Sequence, residues 1–489
     1  MEQTSQSKIG TAEIAVLAIL SFILIWFSRD FFFFWDNIVQ LAVPANYYYD
    51  TNFATLYLPD AITTGHQPFA GLYLALGWKL FGRTVEISHY LILPFVFGVC
   101  YQLLHLTGFF LSNVRDRWFA FAAVLGESVM LTQMTVLTFE VFQIFFFLAV
   151  INSYLRRNNL GIILFFCGLM LVSLRSTMTG IGFVIFIFLY QIVVTRKFSW
   201  REYLVFIPGT ILFFAFLLSF YEARGWIVHN TVSKSWENAG RYASPMEMLK
   251  NIFLFGWRLF DLGKIIYLLL GVYIISEIYK TKKIDHNFLT LVLIAAGQFI
   301  IFFIMTVPYQ NYIGHRYLLP ITTPLIIAII YWFLTPGRRN HYFVYYILPY
   351  TLLGYIWIYP LRIAKGWDAM PAHWTYYELW RDMQRFTENQ KIEPDNIRTF
   401  FPNTATLHNI TLADDHRRYA NNTEKPDYVL FSNVYNESDE VIQKLMQSGK
   451  YSAVHTIQKG NVWMILMKKT RLINPNYSKK IKIDTNRFQ

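Results

Sequence analysis

The chain predicts a polytopic α-helical membrane protein of about eleven transmembrane helices with a small extracytoplasmic α/β domain at its C-terminal end. Three observations carry this expectation. Apolar residues make up 55% of the 489 and charged residues only 15%, against roughly 25% charged in soluble domains. Apolar stretches of about 20 residues, the length that crosses a bilayer core as a helix, recur as far as residue 360. Beyond that point they give way to shorter, periodic segments.

The apolar template places spans near 12–28, 87–111, 118–136, 139–155, 160–175, 177–195, 203–220, 264–279, 288–306, 317–334 and 342–360. The first lacks a small-residue cleavage site and is expected to persist as a helix rather than be removed as a signal peptide. Orientation follows from lysine and arginine asymmetry. Arg115 with Arg117, Arg156 with Arg157, Arg196 with Lys197 and Arg201, Lys280 with Lys282 and Lys283, and Arg338 with Arg339 occupy alternate gaps. That shared side is expected to be cytoplasmic, together with the N-terminus. The segments 29–86 and 221–262, and everything after about 361, then lie outside. The expected organisation is a membrane domain over 1–360, an outer α/β domain over 361–470 and a basic tail over 471–489. In the outer domain, His373 to Asn389 and Glu440 to Met446 have helical spacing, whereas Tyr428–Phe431 and Val462–Leu466 read as strands. The tail is expected to be solvated or to rest on lipid head groups.

A net charge of +12 does not point to nucleic acid, because the basic residues cluster in short gaps between apolar runs. Cys100 and Cys167 fall inside apolar spans and read as packing residues, not as a disulfide or metal pair. No internal repeat is apparent, which argues against inverted-repeat transporters.

The segment 29–86 is too long and too apolar for a simple connector. Phe31 to Trp35 leads into Asp36, tyrosine-rich amphipathic stretches follow, and a Thr-Thr-Gly-His-Gln-Pro turn spans 63 to 68. An acid beside a membrane helix end is costly to desolvate. Facing a cleft, Asp36 is a candidate general base toward an acceptor hydroxyl or amine; residue type alone favours an aspartate that merely ends the helix, and the surrounding sequence shifts the reading toward the base.

Trp35-Asp36-Asn37, Gly65-His66-Gln67-Pro68-Phe69-Ala70-Gly71-Leu72 and Lys79-Leu80-Phe81-Gly82-Arg83 resemble the first external loop of superfamily C (GT-C) glycosyltransferases. The protein O-mannosyltransferases and the aminoarabinose transferases of lipid A are the members most resembled. His315-Arg316-Tyr317-Leu318-Leu319-Pro320 is similar to the family's Arg-Tyr-Leu-Leu-Pro, and Glu140 stands where many relatives carry a second acid. Two departures matter. Asn37 replaces the second acid of an Asp-Glu pair, and Gln67 replaces the first proline of a Pro-Pro turn.

The resemblance implies a GT-C-like fold in a cell (inner) membrane. It also implies inverting transfer of a sugar from a polyprenyl-phosphate donor to a lipid, glycan or protein acceptor on the outer face. Asp36 would be the base and Arg316 the cation on the leaving phosphate, a group that guanidinium suits well. Arg175 is the second candidate cation, with His315 and Tyr317 beside Arg316. For Arg316 a snorkelling role at head groups, and for Arg175 a structural ion pair, remain the alternatives. Trp35, His66 and Pro68 are candidates for the acceptor cleft, His66 equally as a turn histidine satisfied by backbone. Glu140 is a candidate to assist Asp36, to bind a metal or to pair with an arginine. No cofactor is required by these residues, and a divalent metal is left open.

In 221–262, Tyr221, Glu222, Arg224, Trp226, His229, Lys234, Trp236 and Arg241 are candidates to cover the cleft, or to form a surface-lying amphipathic segment. Asp414-Asp415-His416 reads as a solvated turn, since adjacent residues rarely converge on one ion. Asn409, Asn421, Asn436 and Asn476 open glycosylation sequons. Two alternatives to the transferase are a transporter or flippase of a lipid-linked glycan and a polymerase or ligase of surface polysaccharide. A transporter should carry charges at mid-membrane on several helices. A polymerase should rest on arginines of a large late external loop.

Overall fold

The computed structural model describes residues 9–227, 241–310, 313–335, 341–356, 366–420, 426–437 and 439–470. His229, Lys234, Trp236, Arg338, Arg339, the sequons at Asn421 and Asn476, and the tail lie outside these. Two compact units result: Met1–Trp357 with Asp368–Pro371, and Ile358–Trp367 with Ala372–Gln489.

The helices of the first unit are α1 (Thr11–Ser28), α2 (Val43–Asp50), α3 (Phe69–Phe81), α4 (Val85–Phe110), α5 (Val114–Leu125), α6 (Ser128–Thr135), α7 (Phe139–Leu155) and α8 (Asn159–Val172). They continue with α9 (Leu174–Tyr190), α10 (Ile207–Arg224), α11 (Pro245–Phe260), α12 (Ile265–Thr281), α13 (His286–Thr306), α14 (Leu319–Leu334) and α15 (Ile347–Leu353). Among the described residues, six helical stretches are long and apolar enough to cross a membrane, or eight if each of two bent pairs counts as one span. Length and composition alone do not confirm the expected count of about eleven. The expected spans over 160–175 and 342–360 correspond to shorter apolar helices, 159–172 and 342–353, and a third short apolar helix, 69–81, lies in the segment between the first two spans.

The clearest departure is the expected single span over 118–136, which is two helices. Glu127 ends α5 and starts α6, because its side chain accepts from the Met130 amide as an N-cap. After α6 the chain is extended at Val136 and Thr138 caps α7, so α6 and α7 meet at 114°. This break opens the backbone just before Glu140. A second bend, of 94°, separates α11 from α12. Gly263 turns it with φ +80°, where an added Cβ would lie 2.5 Å from the Tyr350 carbonyl oxygen. What was expected to be a loop over 221–262 therefore contains a capped helix, α11, with Ser244 and Glu247 forming a capping box.

Within this unit α9 packs on α13, α13 on α14, and α7 on both α4 and α8. The α9–α13 crossing depends on glycine. A Cβ at Gly297 would sit 2.3 Å from the Gly182 carbonyl oxygen, so the backbones approach as closely as small residues permit in membrane helix pairs.

The second unit has α16 (Tyr376–Asn389), α17 (Leu407–Thr411) and α18 (Asp439–Gln447). Its sheet comprises β1 (Ile397–Arg398), β2 (Tyr428–Ser432), β3 (Tyr451–Lys459) and β4 (Val462–Lys469), in order β1-β2-β4-β3. The β1–β2 pair is parallel, and β4 runs antiparallel to both β2 and β3. Tyr376, Tyr377, Leu379, Trp380 and Met383 are the buried apolar face of α16, which packs on β4 and β3. At Asp414–His416, Asp415 engages Arg417 and Asp414 Oδ1 lies 3.3 Å from His416 Nε2 on the exposed surface.

Candidate active site

Five charged side chains from five places in the chain meet at helix ends. After α1, Phe31 to Phe34 are buried and Trp35 takes φ +58°. For a bulky non-glycine residue this costs about 1 kcal/mol, and it turns the chain so that Asp36 follows directly on the strained residue. Glu140 lies in the first turn of α7. Its carboxylate accepts from the Thr138 hydroxyl, so one threonine both caps the helix and orients the acid. Ser173 caps α9, setting Arg175 in its first turn. A short 3₁₀ turn, His315–Leu318, carries Arg316 and Tyr317 into α14. The fifth residue, Asp368, sits on a three-residue 3₁₀ turn, Trp367–Ala369.

Arg316 is the centre. Its side chain is 1% exposed, yet it meets three carboxylates through three different nitrogens. Nη2 donates to Asp36 Oδ2 at 2.5 Å, Nη1 donates to Asp368 Oδ2 at 2.6 Å, and Nε lies 3.0 Å from Glu140 Oε1. A planar guanidinium presents its nitrogens to three sides in one fixed plane, which a single compact ammonium does not. Arg175 stacks over the Tyr317 ring at 3.6 Å and reaches Glu140 Oε1 only at 3.4 Å. Its side chain is 18% exposed. The two guanidinium groups thus share one carboxylate oxygen and one aromatic ring. The Tyr317 hydroxyl also lies 3.4 Å from Asp36 Oδ2. Asp36 is 24% exposed, and its Oδ1 has no partner among the described residues.

Burial raises the pKa of the Asp368 carboxyl above the usual carboxylate range. Asp36 and Glu140 add to that rise and Arg316 opposes it. Burial also takes His66 down to about 3, with Arg175 and Arg316 adding to the effect, so its imidazole is neutral at physiological pH. His66 packs edge-on against Phe139 at 5.5 Å. Two residues on, Pro68 precedes α3 as its N-cap. Between them Gln67 donates to the Thr177 hydroxyl at 3.0 Å, so the residue that replaces a proline pins this turn to α9.

Of the residues expected at the site, Asp36, Glu140, Arg175, Arg316 and Tyr317 come together, His66 faces the two arginines, and Trp35 is a buried residue of the bend. His315 is a correction. Its Nε2 lies 2.7 Å from buried Asp261 and 3.0 Å from Arg258 Nη1, which makes it part of a neighbouring cluster at the α11–α12 bend, where it does not point with Arg316 to the three acids. Neighbouring side chains on a 3₁₀ turn diverge by about 120°, so chain adjacency misassigned it. Buried Lys264 and Glu127 pair at 3.1 Å in the same region. Arg258 also faces Asp368, so the two clusters adjoin. Asp368 is the residue that sequence reasoning missed. Its one signal was the dipeptide Trp367-Asp368, a second copy of Trp35-Asp36.

Among the described residues, no group of three or more His, Cys, Asp or Glu side chains is disposed to hold a metal ion. The three acids converge on the Arg316 guanidinium.

A membrane-embedded helical bundle with a buried, mixed-charge cluster at its helix ends, joined to an α/β unit, is the class that fold and site define. No protein-family model matches the chain, and no curated protein matches it in sequence. In fold it is similar to the crystal structure of ArnT from Cupriavidus metallidurans bound to undecaprenyl phosphate. The similarity covers 96% of this chain and 100% of that one, at 11% identity and a TM-score of 0.52. The chain therefore has an ArnT-like fold.

Proposed function

We propose that the chain is an inverting glycosyltransferase of the cell (inner) membrane, working on its outer face. It moves a sugar from a polyprenyl-phosphate donor to a lipid, glycan or protein acceptor. The observation that carries this reading is a carboxylate with one oxygen held and one available, beside two guanidinium groups that share a ring and an acid. Asp36 Oδ1 takes the proton from the acceptor hydroxyl or amine. The acceptor heteroatom bonds to the anomeric carbon as the carbon–oxygen bond to phosphate breaks, and the electron pair leaves on the phosphate. Arg175 and Arg316 then stabilise the charge that grows there. Neutral His66 offers the acceptor a hydrogen bond without competing for its proton. Arg175 has the more spare donors of the two cations, because Arg316 is already engaged by three acids.

The ArnT structure's bound undecaprenyl phosphate supports a lipid phosphate as the donor's carrier. The charged groups sit at helix ends rather than along several helices at mid-span, which favours an interfacial enzyme over a transporter. The test is transfer of radiolabelled sugar from polyprenyl-phosphate donors to endogenous acceptors in membranes, wild type against Asp36→Asn at matched protein levels. Asn keeps the shape and removes the base, so transfer should fall at least about 10²-fold with lipid phosphate binding retained. Equal transfer by both forms removes Asp36 from the reaction.

A further inference from the structure

We infer that Asp368 is a placeholder for the donor phosphate on Arg316, and that the arriving phosphate displaces it from the Nη1 edge of that guanidinium. The inference rests on the proposed lipid-phosphate donor and adds a residue and a binding linkage to it.

Nη1 and Nη2 of Arg316 each donate to a carboxylate, so a phosphate that takes one of those two positions replaces the acid there. The structure distinguishes which. Glu140 is 2% exposed and is held three ways, by Arg316, Arg175 and the Thr138 hydroxyl. Asp36 is held by Arg316 and the Tyr317 hydroxyl, and its release would misplace the base. The carboxylate of Asp368 has one partner among the described residues, Arg316 Nη1, and its side chain is 14% exposed. Its backbone is fixed independently. The Asp368 carbonyl accepts from Gln133 Nε2 at 2.7 Å and the Ala369 carbonyl from Ser128 Oγ at 3.0 Å, so the turn stays on α6 while the carboxylate swings. Nη1 is a donor a phosphate oxygen can use as well as a carboxylate oxygen. Asp368 also carries the charge least able to remain buried and unpaired. Arg316, Asp36, Glu140 and Arg258 face it, and burial favours its neutral form. Displacement therefore ends with Asp368 taking up a proton or moving toward Arg258.

The sign of the effect separates this role from a structural one. Losing a structural ion pair weakens the site, whereas losing a competitor tightens donor binding. The experiment measures binding of undecaprenyl phosphate to the detergent-purified full-length chain, with undecaprenol as the uncharged control. It compares wild type, Asp368→Asn, Asp368→Ser and Asp368→Glu across pH 5 to 8. Both charge-free variants should bind undecaprenyl phosphate about tenfold more tightly than wild type, the difference between competing with a carboxylate and with a neutral group. Asp368→Glu should stay near wild type. The advantage of Asn over Asp should grow as pH rises through the elevated pKa of Asp368, because only the ionised form competes. If wild type prefers undecaprenyl phosphate to undecaprenol but Asp368→Asn and Asp368→Ser bind it equally or more weakly, the displacement is overturned and the donor reading stands. If wild type binds the two lipids alike, the donor reading fails and the placeholder role with it.

Discussion

Replacing Arg316 by lysine keeps the charge and removes the geometry. Three nitrogens of Arg316 address three acids at 2.5, 2.6 and 3.0 Å. Lysine offers one compact ammonium on a flexible stem, which can sit against one of those acids and share a second only by moving out of the guanidinium plane. At least one carboxylate, Asp36 or Asp368, then loses its hydrogen-bonded cation beside the other acids. Breaking a buried pair in this way costs about 3–5 kcal/mol; because lysine retains one partner, the lower end, about 3 kcal/mol, is expected. The catalytic effect is larger than the loss of charge implies. Asp36 Oδ2 is fixed by Nη2, and an error of about 1 Å in the base is worth about 10²-fold in rate. The assay pairs thermal unfolding of the detergent-solubilised protein with sugar transfer at saturating acceptor. A cycle with Asp368→Asn should show coupling of at least about 1 kcal/mol, since the two side chains touch. An Arg316→Lys protein that melts with wild type and transfers within threefold of it would refute the three-way arrangement as the organiser of the site.

Two further outcomes follow from packing and from burial. Gly297→Val should lower the melting temperature and Gly182→Ala should do so less. At Gly297 the obstacle is backbone, the Gly182 carbonyl oxygen at 2.3 Å, and the helices must part at a cost of about 1–3 kcal/mol or more; at Gly182 it is the movable end of Gln298. His66 is held far below its ordinary pKa, at about 3. The unfolded chain therefore binds a proton that the folded chain refuses as pH falls below about 6.5, and stability is lost in that direction. Melting temperatures of wild type should drop between pH 6.5 and 5 by more than those of His66→Gln, the difference corresponding to at most about 2 kcal/mol at pH 5. Equal pH dependence of the two proteins would place a charged His66 in the folded state.

Much of the site was legible because the motifs that carry it are local. Trp35-Asp36 and His315-Arg316-Tyr317 each stand at a helix end, and an acid or an arginine beside an apolar run is visible without coordinates. Asp368 was not legible. It lies beyond the last apolar span, where composition had already changed and the residues read as the start of an α/β domain. The break at Glu127 was hidden for a related reason. A hydropathy window averages over 118–136 and cannot see that a carboxylate turns back to cap the amide of Met130. Strand β3 escaped because its residues are mostly half-buried or exposed and show little apolar contrast.

The sequence by itself determined that this chain is a helical membrane protein and that acids and arginines cluster near the ends of its apolar runs. Hydrophobicity and turn chemistry are properties of neighbours along the chain, and so can be read in one dimension. Only the tertiary structure decided that residues 36, 140, 316 and 368 share one guanidinium, that His315 faces Asp261 instead, and that Arg175 keeps donors to spare. An ion pair forms between side chains within a few ångströms of one another, and only packing of the helices brings positions so far apart in the chain to that distance.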